Sequence, residues 1–176
     1  MVISFREDKI DYPTFERLYS EAWDYISAER QRAGSEKLKQ SLWESHNSKR
    51  SFIIEKDGYV VGIECFEIVE FQGQKVLHYH YPTFGADSDG SKSWYYSEEY
   101  DKAHRKRDEN LNVSGVIIIG NPNSPAVTAL KKKHAAGGDH FESMVEYPIE
   151  ELSPTYAKSY PSYFKGYFLR KKRRTT

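Results

Sequence analysis

The sequence predicts an α/β fold of the α+β kind, with a mixed, mostly antiparallel central sheet of about seven strands flanked by about four helices. Three stretches carry that prediction. The β-branched run Val116-Ile117-Ile118-Ile119 passes through Gly120-Asn121-Pro122-Asn123 into Ser124, Pro125 and Ala126, and on to Ala129 and Leu130. An apolar run followed by a capping serine and a proline in the first turn reads as buried strand, turn and helix start. Junctions of that kind commonly bind ligands in α/β proteins. Asp57-Gly58, set between two apolar segments, reads as a two-residue hairpin turn. Phe15, Leu18, Tyr19, Ala22, Trp23 and Ile26 recur at helical spacing and make one broad apolar face.

In chain order, Val2 to Arg6 alternates weakly and reads as a first strand. Asp11 and Pro13 open the helix that bears the Phe15 face. Gly34 and Ser35 end it and cap a second helix, which carries Leu38, Leu42 and Trp43 and gives out between His46 and Lys49. Ser51 to Lys56 is a strand, and Asp57-Gly58 turns it into Tyr59 to Ile63, which runs on to Phe71 and turns at Gln72-Gly73. Val76, His78 and His80 then alternate with Leu77, Tyr79 and Tyr81 in a strand that passes Pro82 and ends near Phe84. These strands form an antiparallel meander. Gly85 to Ser93 is a polar loop. Ser93 caps a helix with Tyr96, Tyr100, Ala103 and Leu111 facing inward and Lys102, Arg105, Lys106 and Arg107 facing out. After the Val116 strand and its helix, Gly137-Gly138 is a stop, Phe141 to Ile149 a strand, and the segment with Pro154 and Pro161 irregular. Tyr163 to Arg170 is the last strand. The expected organisation is a single domain over residues 1–170 and a basic, flexible tail over residues 171–176.

A chain of 176 residues can bury one sizeable core without staples. Its 26 basic and 26 acidic residues cancel, so net charge selects neither a nucleic-acid nor a membrane-surface partner. Cys65 is the one cysteine, which excludes an internal disulfide and a thiolate zinc cluster. No run approaches the ~20 apolar residues of a spanning helix, and the start carries no basic leader. A soluble, cytoplasmic protein without a membrane partner is expected.

The element order β-α-α-β-β-β-α-β-α-β-β resembles the Gcn5-related N-acetyltransferase (GNAT) family over nearly the whole chain. Asp57-Gly58 with Val60-Val61-Gly62 is similar to that family's hairpin, and Asn121 to Leu130 to its Asn-x-x-Ala helix start. The resemblance implies transfer of an acyl group from acetyl-CoA or another acyl-CoA to an amine, with two strands splayed so that the thioester threads between them. It also implies that backbone N–H groups between the fourth strand and the third helix hold the pyrophosphate. Here that loop runs from Gly85 to Ser93, so Gly85, Gly90, Ser91, Lys92 and Ser93 are the implied cofactor-binding residues. The loop is atypical: in place of Gln/Arg-x-x-Gly-x-Gly/Ala it has glycines five apart, with Asp87 and Asp89 between them. Lys131 follows Leu130 where the family often has a tyrosine acting as general acid.

Attack on a thioester needs a neutral amine, so a base must take its proton, directly or through water. His78 and His80 lie two apart on one strand and share a face, and either can be that base. The competing reading packs both among tyrosines on a half-buried sheet face. Glu67 or Glu64, which face opposite ways on the preceding strand, is a further candidate base, or else a solvent-facing carboxylate. Asn121 and Asn123 can hold pantetheine amides or orient substrate, or simply form an Asx turn that starts the helix.

His78-x-His80 can also share a metal ion with His104, His140 or Asp87, although no metal is expected. Gly85-x4-Gly90-Ser91-Lys92-Ser93 nearly matches a nucleotide-hydrolase phosphate loop, but Ser91 displaces the lysine and an antiparallel meander precedes it. The basic clusters Lys102 to Arg107, Lys131 to Lys133 and Arg170 to Arg174 read as solvated faces and a tail; brought together with tyrosines, they would suit nucleic acid. Two functions stand. One is an acyl-CoA-dependent N-acyltransferase acting on a small-molecule or protein amine. The other is a catalytically inactive GNAT-like binding or interaction module, with nucleic acid as one partner. A homodimer is compatible with both.

Overall fold

A computed structural model of the chain describes residues 1–22, 35–137 and 141–172. Trp23, Ile26 and Gly34 of the first predicted helix, Gly138 to His140, the Leu38 side chain and the tail beyond Lys172 lie outside the described residues. The chain runs β1 (Ile3–Glu7), α1 (Tyr12–Glu21), α2 (Ser35–Ser48), β2 (Arg50–Lys56), β3 (Tyr59–Phe71) and β4 (Gln74–Phe84). A 3-10 turn (Ser93–Tyr96) then leads to α3 (Glu98–Leu111), β5 (Gly115–Gly120), α4 (Pro125–Ala135) and β6 (Phe141–Tyr147). A one-turn helix α5 (Ile149–Leu152), a 3-10 turn (Ala157–Ser159) and β7 (Lys165–Lys171) complete it.

The strands hydrogen-bond in the order β1-β2-β3-β4-β5-β7-β6. β1 with β2, β2 with β3, β5 with β7 and β6 with β7 are antiparallel, and β4 pairs with β5 in parallel at Leu77–Val116 and His78–Ile117. The sheet is therefore mixed and mostly antiparallel with seven strands, as the sequence predicts. Five helices occur among the described residues. The unanticipated one is α5, a single turn that is too short to show a helical period. Both tight hairpins follow from their turn residues. Asp57 and Gly58 have φ of 50° and 82°, and Gln72 and Gly73 of 53° and 74°, the paired left-handed geometry that matches strand twist in a two-residue hairpin.

The chain groups into two units, Met1–Glu67 with His80–Arg107 and Ile68–Tyr79 with Asp108–Thr176. In the first, the Asp11 carboxylate caps α1 by accepting from Thr14 N at 3.0 Å. Its apolar face buries Phe15, Leu18 and Tyr19 against Leu42 of α2, Ile53 of β2 and Ile63 of β3. A second cluster joins Ile3, Ile54 and Val61 to Trp94 and Tyr100. Ser97, rather than Ser93, caps α3: its Oγ accepts from Tyr100 N at 3.1 Å. The displacement arises because Trp94 is buried with its indole N–H on the Gly85 carbonyl at 2.9 Å, which winds Ser93–Tyr96 into a separate turn. Tyr96 is consequently 57% exposed instead of facing inward.

Arg107 is not on the outer face of α3. Its guanidinium pairs with Glu64, their side chains being only 3% and 2% exposed, and lies 4.7 and 4.9 Å from the ring centroids of Phe5 and Phe52. A charge out of water is tolerable when it is paired and faced by aromatic rings. Lys102, Arg105 and Lys106 are exposed.

In the second unit, Phe71, Val76, Ile117, Leu152 and Phe168 form the core, with Val69, Ile119 and Tyr147 packed against it. Gly115 begins β5 because no side chain fits there: a Cβ would stand 2.5 Å from the Leu169 carbonyl oxygen and 2.6 Å from the Phe168 ring. Among the described residues no helix is long and apolar enough to cross a membrane.

Candidate functional site

β3 and β4 place a carboxylate beside an imidazole. His80 Nε2 lies 3.2 Å from Glu67 Oε2. A carboxylate only accepts, so Nε2 carries the proton of this contact. His80 is 7% exposed and the Glu67 side chain 33%, so solvent reaches the pair chiefly at the carboxylate. His78, two residues away, is placed differently. It is 1% exposed, its Nδ1 donates to the Tyr79 carbonyl at 3.0 Å, and its ring meets Tyr156 edge-on at 6.3 Å. Glu64 is taken by Arg107 and faces no solvent. Among the described residues no group of three or more His, Cys, Asp or Glu side chains is arranged to hold a metal ion.

The loop from Gly85 to Ser93 folds around Asp87. Its Oδ1 accepts from the amides of Asp89 and Ser91, each at 2.9 Å, and its Oδ2 from Lys56 Nζ at 2.6 Å. The backbone closes the same turn, with Asp87 N on Ser91 O at 2.8 Å and Gly90 N on Asp87 O at 3.0 Å. Lys56 foremost, then the Ser91 amide, holds the Asp87 carboxyl below the usual carboxylate range. Its charge is thus compensated locally. At the start of the loop, Glu21 in the last turn of α1 brings Oε2 to within 3.0 Å of Ala86 N. Gly85 permits that approach, since a Cβ there would collide with the same oxygen. Lys92 Nζ donates to the Glu21 carbonyl, the Ser91 and Ser93 hydroxyls lie 2.8 Å apart, and Ser93 N donates to Ser91 Oγ at 3.1 Å. The amides of Ala86, Asp89 and Ser91 therefore each meet a carboxylate oxygen of the protein itself.

At the head of α4, Asn121 Oδ1 accepts from Asn123 N at 3.0 Å, and Ser124 Oγ accepts from Val127 N at 3.2 Å. The Asx turn takes the Asn121 side-chain oxygen and leaves its amide N–H groups as donors for a ligand. Asn123 is exposed. His78, Asn121 and Asn123 belong to the second unit, and Glu67, His80 and the loop to the first.

Two groups of functional residue types were not apparent from sequence. Glu21 and Lys56 reach the loop from 65 and 31 residues away, with no local signal to mark them. The other group joins His46, Ser51 and Cys65. Ser51 Oγ lies 2.9 Å and Cys65 Sγ 3.6 Å from His46 Nδ1, which resembles a nucleophile beside its base. The chemistry runs the other way. His46 Nε2 accepts from Ile10 N at 3.2 Å, so Nδ1 carries the proton and cannot take one. Burial pushes the His46 imidazole down to about 4 and the Cys65 thiol up to about 11. The trio is a packing element.

Solved structures that resemble this chain include acetyltransferases. N-acetylglutamate synthase from Neisseria gonorrhoeae, complexed with coenzyme A and N-acetyl-glutamate, matches 98% of this chain with a TM-score of 0.54 and 16% identity. This chain spans only 36% of that protein's length. The PaiA N-acetyltransferase from Thermoplasma acidophilum, complexed with coenzyme A, matches over 98% of this chain and 100% of its own, with a TM-score of 0.51 and 11% identity. A GNAT-family acetyltransferase from Bacillus anthracis matches over 96% and 93%, with a TM-score of 0.52 and 14% identity. No protein-family model and no curated protein matches the sequence. At these identities the likeness is one of fold.

Proposed function

From a chain with the GNAT fold, we propose an acyl-CoA-dependent N-acyltransferase that moves an acyl group, acetyl in the simplest case, to an amine. The observation that carries this reading is the His80–Glu67 pair at 3.2 Å, a base with its orienting carboxylate, within a fold shared with acetyltransferases that hold coenzyme A. When bound, acyl-CoA supplies an acyl carbon already activated by its thioester.

The chain's own residues do the rest. An aliphatic amine is mostly protonated at neutral pH and has no lone pair for attack. His80 accepts that proton, directly or through a water, and Glu67 holds the ring and stabilises the imidazolium that results. The fit of the loop to a pyrophosphate rests on its amides: those of Ala86, Asp89 and Ser91 already bind anionic oxygens. Lys92 and the hydroxyls of Ser91 and Ser93 add donors from the same loop, with Gly85 and Gly90 shaping it. The amide groups of Asn121 and Asn123 suit the pantetheine. His78 is a less accessible candidate, given its 1% exposure.

A binding module without catalysis is the alternative, and it draws on those same amides being occupied by internal carboxylates. One experiment separates the two readings: titration with acetyl-CoA in a calorimeter, followed by release of free thiol with a panel of small and peptide amines. Binding with amine-dependent thiol release supports the enzyme. Absence of heat at millimolar acetyl-CoA removes it.

A further inference from the structure

The carboxylate on Ala86 differs from the one on Asp89 and Ser91 in where it comes from. Asp87 belongs to the loop, is 6% exposed and is fixed by Lys56. Glu21 arrives from α1, and its side chain is 27% exposed. Its other side-chain partner is Arg17, one helical turn earlier, whose Nη1 lies 3.2 Å from Glu21 Oε2. Arg17 does not depend on Glu21 for its position. Its Nη2 donates to the Val60 carbonyl at 2.7 Å, and its guanidinium covers the Tyr59 ring at 4.6 Å. If the Glu21 side chain rotates toward solvent, an amide and an anchored guanidinium remain around the space it leaves. Gly85 lines that space without a side chain.

An amide N–H and an arginine fork are the groups that bind phosphate oxygens well. We propose that Glu21 is an internal stand-in for a phosphate group, and that Arg17 and the Ala86 amide form an anion subsite which a diphosphate takes by displacing the Glu21 carboxylate. This rests on the acyl-CoA reading for the identity of the natural ligand, the pyrophosphate of coenzyme A. Glu21 then sets the affinity of the free protein for that ligand, because each binding event must first break the contacts of Glu21 with Ala86 and Arg17. The backbone of Glu21 stays in place throughout, since Lys92 holds its carbonyl.

The test compares wild type, Glu21→Ala, Arg17→Gln and the double variant by calorimetric titration with coenzyme A and, separately, with inorganic pyrophosphate. Glu21→Ala should bind both about tenfold more tightly than wild type, and adding Arg17→Gln should cancel the gain. Should Glu21→Ala not fold, Glu21→Gln serves in its place, since it keeps the size of the side chain and removes the charge that competes with a phosphate. Coenzyme A binding that is equal or weaker in the Glu21 variant overturns the subsite and leaves the acyltransferase reading intact. Tighter pyrophosphate binding with no coenzyme A binding upholds the subsite and overturns that reading. No binding of either probe by any variant overturns both.

Discussion

The Arg107 guanidinium and the Glu64 carboxylate pair inside the first unit with less than a twentieth of either side chain exposed, 3% and 2%. Because each charge offsets much of the desolvation of the other, removing one leaves a buried ion without its counter-charge. Arg107→Leu should therefore cost about 3–5 kcal/mol, and Glu64→Leu a similar amount, while the double substitution should recover most of the loss. Urea unfolding at neutral pH checks this. Single variants as stable as wild type would remove the pair from the account of the core.

His46 makes stability depend on pH. Its imidazole is held near 4 in the folded chain, against an ordinary value of 6.5, so below about 6.5 the unfolded chain takes a proton that the folded chain refuses. Stability from this group is fully present above that value and falls as pH drops toward 4, by up to about 3 kcal/mol. His46→Gln should be less stable at pH 7 yet lose less between pH 6.5 and 5 than wild type. Chemical denaturation across that range reads the difference, and parallel slopes would contradict the assignment.

Two glycines of β5 should respond differently to the same methyl group, Gly115 with a loss of stability and Gly120 with little change. Gly115→Ala sets a Cβ 2.5 Å from the Leu169 carbonyl and 2.6 Å from the buried Phe168 ring, neither of which can easily give way. A loss of about 2 kcal/mol or more is expected. At Gly120 the nearest atom is the Val127 Cγ2 at 3.5 Å, an ordinary contact. Thermal unfolding of the two variants should separate them clearly.

Asp87 organises the loop through three hydrogen bonds from Asp89, Ser91 and Lys56. Asp87→Ala should weaken coenzyme A binding at least about tenfold, because the loop amides lose the group that gathers them. Unchanged affinity would place the phosphates elsewhere.

What the sequence disclosed was local. Asp57-Gly58 and Gln72-Gly73 carry their turn geometry in the residues themselves, Asp11 and Ser124 sit where caps must sit, and a β-branched run identifies β5. Those signals set the order of elements and, with it, the fold. What escaped depends on distant residues. Arg107 and Glu64 are 43 positions apart, and four basic residues near one another on a helix read as a solvated face until a carboxylate on β3 claims one of them. Glu21 likewise looks like any helix-end acid until the loop brings Ala86 to it. Of the candidate site, the loop and His80 were visible by residue type and place. Glu67 was visible as a candidate base, whereas Lys56 and Glu21, the partners that decide the charge and hydrogen bonding of the loop, were not.

Kinetics of His80→Gln decide whether His80 takes the amine proton, with turnover measured as thiol release at saturating amine and acetyl-CoA affinity measured separately by calorimetry. If His80 takes the amine proton, kcat falls about 100-fold or more while acetyl-CoA affinity changes less than about twofold. Turnover in the variant equal to wild type would contradict the role of His80, and so would a loss of turnover matched by an equal loss of acetyl-CoA affinity.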